Sequence, residues 1–182
     1  MLASGKHFPG LGYAGSNTDN APTIVRASLP QLNADLLPYR TAIPAGLKVV
    51  MVSTAIYPAL GVSVPAACSS RVVTQLLRRD LGFGGVVITD DLKTAGVNKY
   101  LSTPRAAVAA VNAGVDMVLA AGVTGRFADR TSEAAYRSIL QAAQRGELPR
   151  SQVARAYQRV LTLKRALGKP DRKAAVWEPP VR

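Results

Sequence analysis

Cysteine is almost missing from this 182-residue chain, in which Cys68 stands alone. One cysteine excludes an intrachain disulfide and any cysteine-built zinc site. It reads as a small, partly buried residue and leaves cell envelope and cytoplasm equally open. Histidine is as scarce, with His7 the only one. No apolar run approaches the roughly 20 residues that a membrane helix needs. The opening ten residues lack the apolar core of about 7–15 residues that marks a secretory signal. No membrane segment is therefore expected. Acidic side chains are few, 11 against 23 basic ones, for a net charge of +12. Such a balance raises the question of nucleic acid. The basic excess gathers from Arg126 onward, at helical spacing and with no interleaved aromatic platform. That pattern reads as a solvated basic face, and no nucleic-acid partner is expected.

Apolar residues are plentiful, at 48%, enough for a globular core. The length fits one domain or part of a larger one. Residues 3–7 read as the end of a strand, and the Gly- and Pro-punctuated stretch after them as a long loop. Ser28 is placed to cap a helix with Pro30 in its first turn, and Pro38 should end or kink it. The run at 47–54 is too apolar for a strand with one wet face and suits a buried parallel sheet. Val72, Val73, Leu76 and Leu77 recur at helical spacing after Ser69 or Ser70, with Gly82 as the stop. A second strand follows at 85–89. A helix capped by Thr103 comes next, with Pro104 at its first position and Gly114 at its end. A third strand is expected at 115–120, then helices at 130–145 and 151–167, the latter with Val153, Tyr157 and Val160 in register.

Strands alternating with helices predict an α/β class with a parallel sheet. Three strands and the end of a fourth are too few for a closed eight-stranded barrel of about 250 residues. The chain therefore reads as a piece whose N-terminal portion is missing. Residues 1–168 are expected to form the folded unit and 169–182 a loose basic, Pro-rich tail.

Three segments carry a resemblance. They are Lys6-His7-Phe8-Pro9-Gly10-Leu11-Gly12, the pair Leu77 to Phe83 and Val86-Val87-Ile88-Thr89-Asp90-Asp91-Leu92, and Ala113 to Leu119. In this order they resemble family 3 glycoside hydrolases, in particular the β-N-acetylhexosaminidase branch, over residues 6–167. The resemblance implies a partial TIM-like (β/α)8 barrel, from the end of the fifth strand to the eighth. It implies a retaining glycosidase acting on terminal β-linked N-acetylglucosamine or a related hexose, with peptidoglycan fragments as the favoured carbohydrate substrate. It calls for no metal and no cofactor. Asp90 matches the nucleophile, and Lys6 and His7 match the pair that hydrogen-bonds sugar hydroxyls.

The residues themselves agree in part. Asp90 ends an apolar strand, where a barrel exposes functional side chains, and an ionised carboxylate there can attack an anomeric carbon. The alternative is a helix N-cap. Asp91 reads as a cap or supporting residue and Asp116 as structural. The branch carries an Asp-Ser-His motif after the Lys-His pair, and Asn17-Thr18-Asp19 stands at that place here. With no second histidine, Asp19 is the local candidate for the acid/base, and a plain turn residue is the other reading. A competing reading of the whole chain is a non-catalytic half-barrel remnant that associates, with itself or a partner, through open sheet edges.

Overall fold

The computed structural model describes residues 2–121 and 130–168. The expected tail at 169–182 lies outside them.

Three short strands form one parallel sheet in the order β1 (Ser4–Phe8), β2 (Val49–Val52) and β3 (Val86–Thr89). Val49 to Val52 pair in unbroken register with Val86 to Thr89. β1 is irregular on β2, with the register shifting between Gly5 and Phe8, and the Lys6–His7 and Phe8–Pro9 peptide bonds are cis. Parallel pairing and the helices between strands are those expected from the alternating pattern.

Helices cover the sheet face that carries Phe8, Val50, Val52 and Val87, all buried. The first helical region is two pieces, α1 (Leu29–Asp35) and α2 (Leu37–Ala42). Ser28 starts α1 with a capping box, its hydroxyl accepting from Gln31 N while the Gln31 side chain accepts from Ser28 N. The break falls at Leu36, ahead of Pro38 as predicted. Tyr39 of α2 meets Phe8 edge to face, with ring centroids 4.9 Å apart. Arg71–Asp80 is a π-helical segment with Val72, Val73 and Leu77 fully buried. A short helix, α3 (Ala95–Asn98), follows β3 and was not anticipated. In α4 (Thr103–Ala113) the cap is Ser102, one residue before the expected Thr103, and Gly114 ends the helix. Helices α5 (Arg130–Gln144) and α6 (Arg150–Ala166) close the described chain. The predicted α6 stripe of Val153, Tyr157 and Val160 lines a cavity of about 460 Å³ shared with α5, so Tyr157 is largely exposed.

The expected third strand at 115–120 is corrected to a single parallel bridge, Ile88 to Met117. The physical reason is that side chains take ladder positions there. Asp116 Oδ2 accepts from Val87 N at 2.9 Å, and Thr89 Oγ1 accepts from Leu119 N at 3.0 Å. Backbone bonds from Thr89 N to Met117 O and from Leu92 N to Leu119 O still hold the segment beside β3.

Candidate active site

A parallel sheet gathers its carboxyl ends on one edge, and ligands in α/β folds bind there. Here that edge is drawn together by bonds just past the strands. Ser53 N donates to Phe8 O and Asp90 N to Val52 O, both at 2.9 Å. His7 and Asp90 come from the two outer strands and meet across β2, with His7 Nε2 3.7 Å from Asp90 Oδ2. That is longer than a hydrogen bond and close enough for an ion pair when the imidazole is protonated. Their side chains are 27% and 15% exposed, so both are reachable from solvent without being free in it. Asp90 Oδ1 accepts from Asp91 N at 2.9 Å, which orients the carboxylate and directs Oδ2 toward His7. The arrangement offers an oriented carboxylate oxygen beside an imidazole, a pair suited to nucleophilic or proton-transfer chemistry.

Lys6 is exposed next to His7. Asp91 Oδ1 accepts from Lys93 N at 2.9 Å and closes the turn after the strand. Asp19 sits on an exposed turn whose backbone N–H is held by Asn17 Oδ1 at 2.9 Å. Its loop rests on α3, with Ala95 N donating to Asp19 O and Gly96 N to Thr18 O. A Cβ on Gly96 would stand 2.7 Å from Thr18 O, so only glycine permits this approach. The loop is thereby fixed to the segment that follows Asp90. No hydrogen bond or ion pair joins the Asp19 carboxylate to His7 or Asp90 among the described residues. Asp116 lies away from this edge, 1% exposed, with Arg78 at 2.6 Å and Arg159 at 3.0 Å.

Two residues beside the site were missed in the sequence. The Tyr57 hydroxyl donates to Gly10 O at 2.9 Å. The Asp35 carboxylate packs against Gly10, far from it in the chain. Neither stands in a recognisable motif. Among the described residues no three His, Cys, Asp or Glu side chains converge as a metal ion would require, and no helix is long and apolar enough to cross a membrane.

An α/β fold with a carboxylate and an imidazole at the carboxyl edge of a parallel sheet is compatible with many enzyme classes, because fold alone does not fix the chemistry. Comparison with known proteins narrows it. The sequence profile of the glycosyl hydrolase family 3 N-terminal domain matches residues 1–163, and the chain belongs to that family. It is 37% identical over 170 residues to an uncharacterized secreted glycosyl hydrolase of Arthroderma benhamiae, covering 92% of this chain and 47% of that protein. It is 38% identical over 120 residues to a beta-hexosaminidase of Methylobacillus flagellatus, covering 65% and 34%. Among solved structures, a glycoside hydrolase family 3 beta-N-acetylglucosaminidase from Paenibacillus sp. superposes with a TM-score of 0.86 at 34% identity, covering 98% of this chain and 33% of that one. A beta-N-acetylhexosaminidase from Beutenbergia cavernae gives 0.75 at 36% identity, covering 88% and 46%. The chain thus spans between a third and a half of the length of these relatives.

Proposed function

We propose that the chain is the nucleophile-bearing part of a retaining β-N-acetylhexosaminidase. In this reading its three strands and the bridged segment at 115–120 correspond to the fifth to eighth strands of a TIM-like (β/α)8 barrel, residues 1–168 are the folded unit, and 169–182 are a tail. The substrate is a terminal β-linked N-acetylglucosamine or related hexose, as in peptidoglycan fragments. The observation that carries the proposal is the placement of Asp90 at the carboxyl end of β3 with Oδ2 facing His7, in a chain of this family. Asp90 attacks the anomeric carbon and forms a glycosyl-enzyme, which water then hydrolyses with retention. Lys6 brings three charged donors to sugar hydroxyls, and His7 donates or accepts.

Asp19 is the proposed proton donor to the leaving oxygen. Retaining chemistry in which two carboxyls act directly places them about 5–5.5 Å apart. A loop can reach that geometry when substrate binds.

The test is hydrolysis of an aryl N-acetyl-β-glucosaminide by the chain, alone and joined behind the first half of a relative's barrel. Asp90→Asn keeps the shape and removes the charge, so turnover should fall by orders of magnitude. A fluoro-sugar inactivator should label Asp90. Wild-type rates in the Asn variant, or a label elsewhere, would reject Asp90 as nucleophile. Asp19→Ala should slow substrates with poor leaving groups far more than activated aryl glycosides. Equal losses on both would make Asp19 a turn residue.

A second reading is a non-catalytic half-barrel that pairs with itself or a partner. It is favoured by β1, which among the described residues pairs with β2 alone, and by exposed Met117 on the bridge at the opposite side. Size-exclusion chromatography separates the two. A compact monomer removes pairing with itself, and a dimer that hydrolyses nothing supports the second reading.

A further inference from the structure

Asp35, at the end of α1, keeps a carboxylate where stability alone gives no reason for one. Its Oδ2 is buried and has no hydrogen-bond partner among the described residues. A buried polar atom left unpaired is destabilising, and each such atom in a folded protein calls for an explanation. Sites that serve function at a cost in stability are one such explanation.

The surroundings say what the carboxylate does. A Cβ on Gly10 would stand 2.7 Å from both Cβ and Oδ2 of Asp35, so the turn lies directly on the acid. Gly12 faces the same group, its Cβ position 3.6 Å from Oδ1. From within the core, the Tyr57 hydroxyl grips the Gly10 carbonyl. Tyr39 closes the other side and packs on Phe8. Burial first, and the charge of Asp35 after it, push the Tyr39 phenol up to about 12, so it stays a protonated donor. A cavity of about 490 Å³ is walled by Lys6, His7, Gly10, Gly12, Asp35 and Tyr39 together. The Gly10–Gly12 turn is the piece of chain that joins the Lys6–His7 pair to the loop bearing Asp19.

We propose that Asp35 is a positioning residue: its carboxylate, wedged against the Gly10–Gly12 turn, sets the placement of Lys6 and His7 opposite Asp90. The role rests on the reading of that edge as the sugar site. Asp35 does not touch substrate and acts through the turn. Shape is what it supplies, so asparagine should replace it well and alanine badly.

The test uses the full chain, in which His7 is the only histidine. Its imidazole resonances therefore report on one side chain. Asp35→Ala should displace those resonances and, with the chain joined behind the first half of a relative's barrel, lower kcat/KM by about a hundredfold, the scale on which small misplacements act. Its melting temperature should hold or rise, because the unpaired buried oxygen is gone. Asp35→Asn should return the resonances close to wild type. Leu148→Ala removes a buried side chain outside the core cluster that holds Phe8 and Tyr39; it should lower the melting temperature and leave His7 unmoved. Gly10→Ala lifts the turn from an intact Asp35 and should displace His7 even if Asp35→Ala fails to fold. Asp35→Ala that melts early with His7 unmoved would make Asp35 an ordinary packing residue, and an unmoved His7 in Gly10→Ala would overturn the proposal as well. Displaced resonances, in a chain that still hydrolyses nothing when joined behind the first half of a relative's barrel, would uphold the placement and reject the glycosidase reading. Full activity with unmoved resonances would do the reverse.

Discussion

Burial pushes the Cys68 thiol up to about 12 from its ordinary 9.0. Its sulfur points at the Ala106 carbonyl, 3.6 Å away. The thiolate is the reactive form, so an alkylating reagent at pH 8 should label the partly buried Cys68 far more slowly in the native chain than in denaturant. Equal rates in the two would contradict the burial. A stability effect follows with a definite sign. Below pH 9 both folded and unfolded chains keep the thiol proton. Between 9 and about 12 the unfolded chain releases it and the folded chain does not, so the folded state loses stability as pH rises through that window. The lone cysteine that seemed in the sequence merely uninformative is thus a probe of core integrity.

At the scale of elements, the segment that follows α4 is tied down by charge at Asp116. Asp116, 1% exposed, binds Arg78 of the π-helical segment and Arg159 of α6. Arg78 in turn donates to the carbonyls of Gly85 and Gly114. Burial lowers the Arg78 pKa and the charge of Asp116 opposes that shift. Asp116→Ala leaves Arg78 buried without its counter-ion and should cost about 3–5 kcal/mol in urea unfolding. A loss below ~1 kcal/mol, typical of exposed pairs, would show that the cluster is solvated.

The same region shows how far sequence patterns reach. β3 and the Pro104-to-Gly114 helix were legible because an apolar run and helix-end residues are local signals. The 115–120 strand was over-read. Val115, Met117 and Leu119 alternate as strand residues do, but Asp116 and Thr89 substitute side-chain oxygens for backbone partners. That His7 and Asp90 stand at strand ends was legible from the motifs, but their approach across β2 is made only by the fold. Asp35 was illegible for a different reason. A carboxylate on a short helix reads as solvated, and its contact with Gly10 is made only by folding.

Across the whole molecule, β2 lies at the centre of the sheet with Val50 and Val52 fully buried, and its partners on both sides are backbone. The amide of Leu119, by contrast, is held by the hydroxyl of Thr89. Hydrogen exchange should therefore be slowest along β2 and faster at 115–119, because protection follows the local cost of opening. The consequence is that one hydroxyl meters the exchange rate of a backbone amide on a neighbouring segment. Thr89→Val keeps the size and removes the acceptor, so Leu119 N–H loses a bond whose absence costs about 1–3 kcal/mol when the donor stays buried. Its deuterium uptake should accelerate by about a factor of 10 per 1.4 kcal/mol lost, while the amides of Val50 and Val52 keep their wild-type clocks.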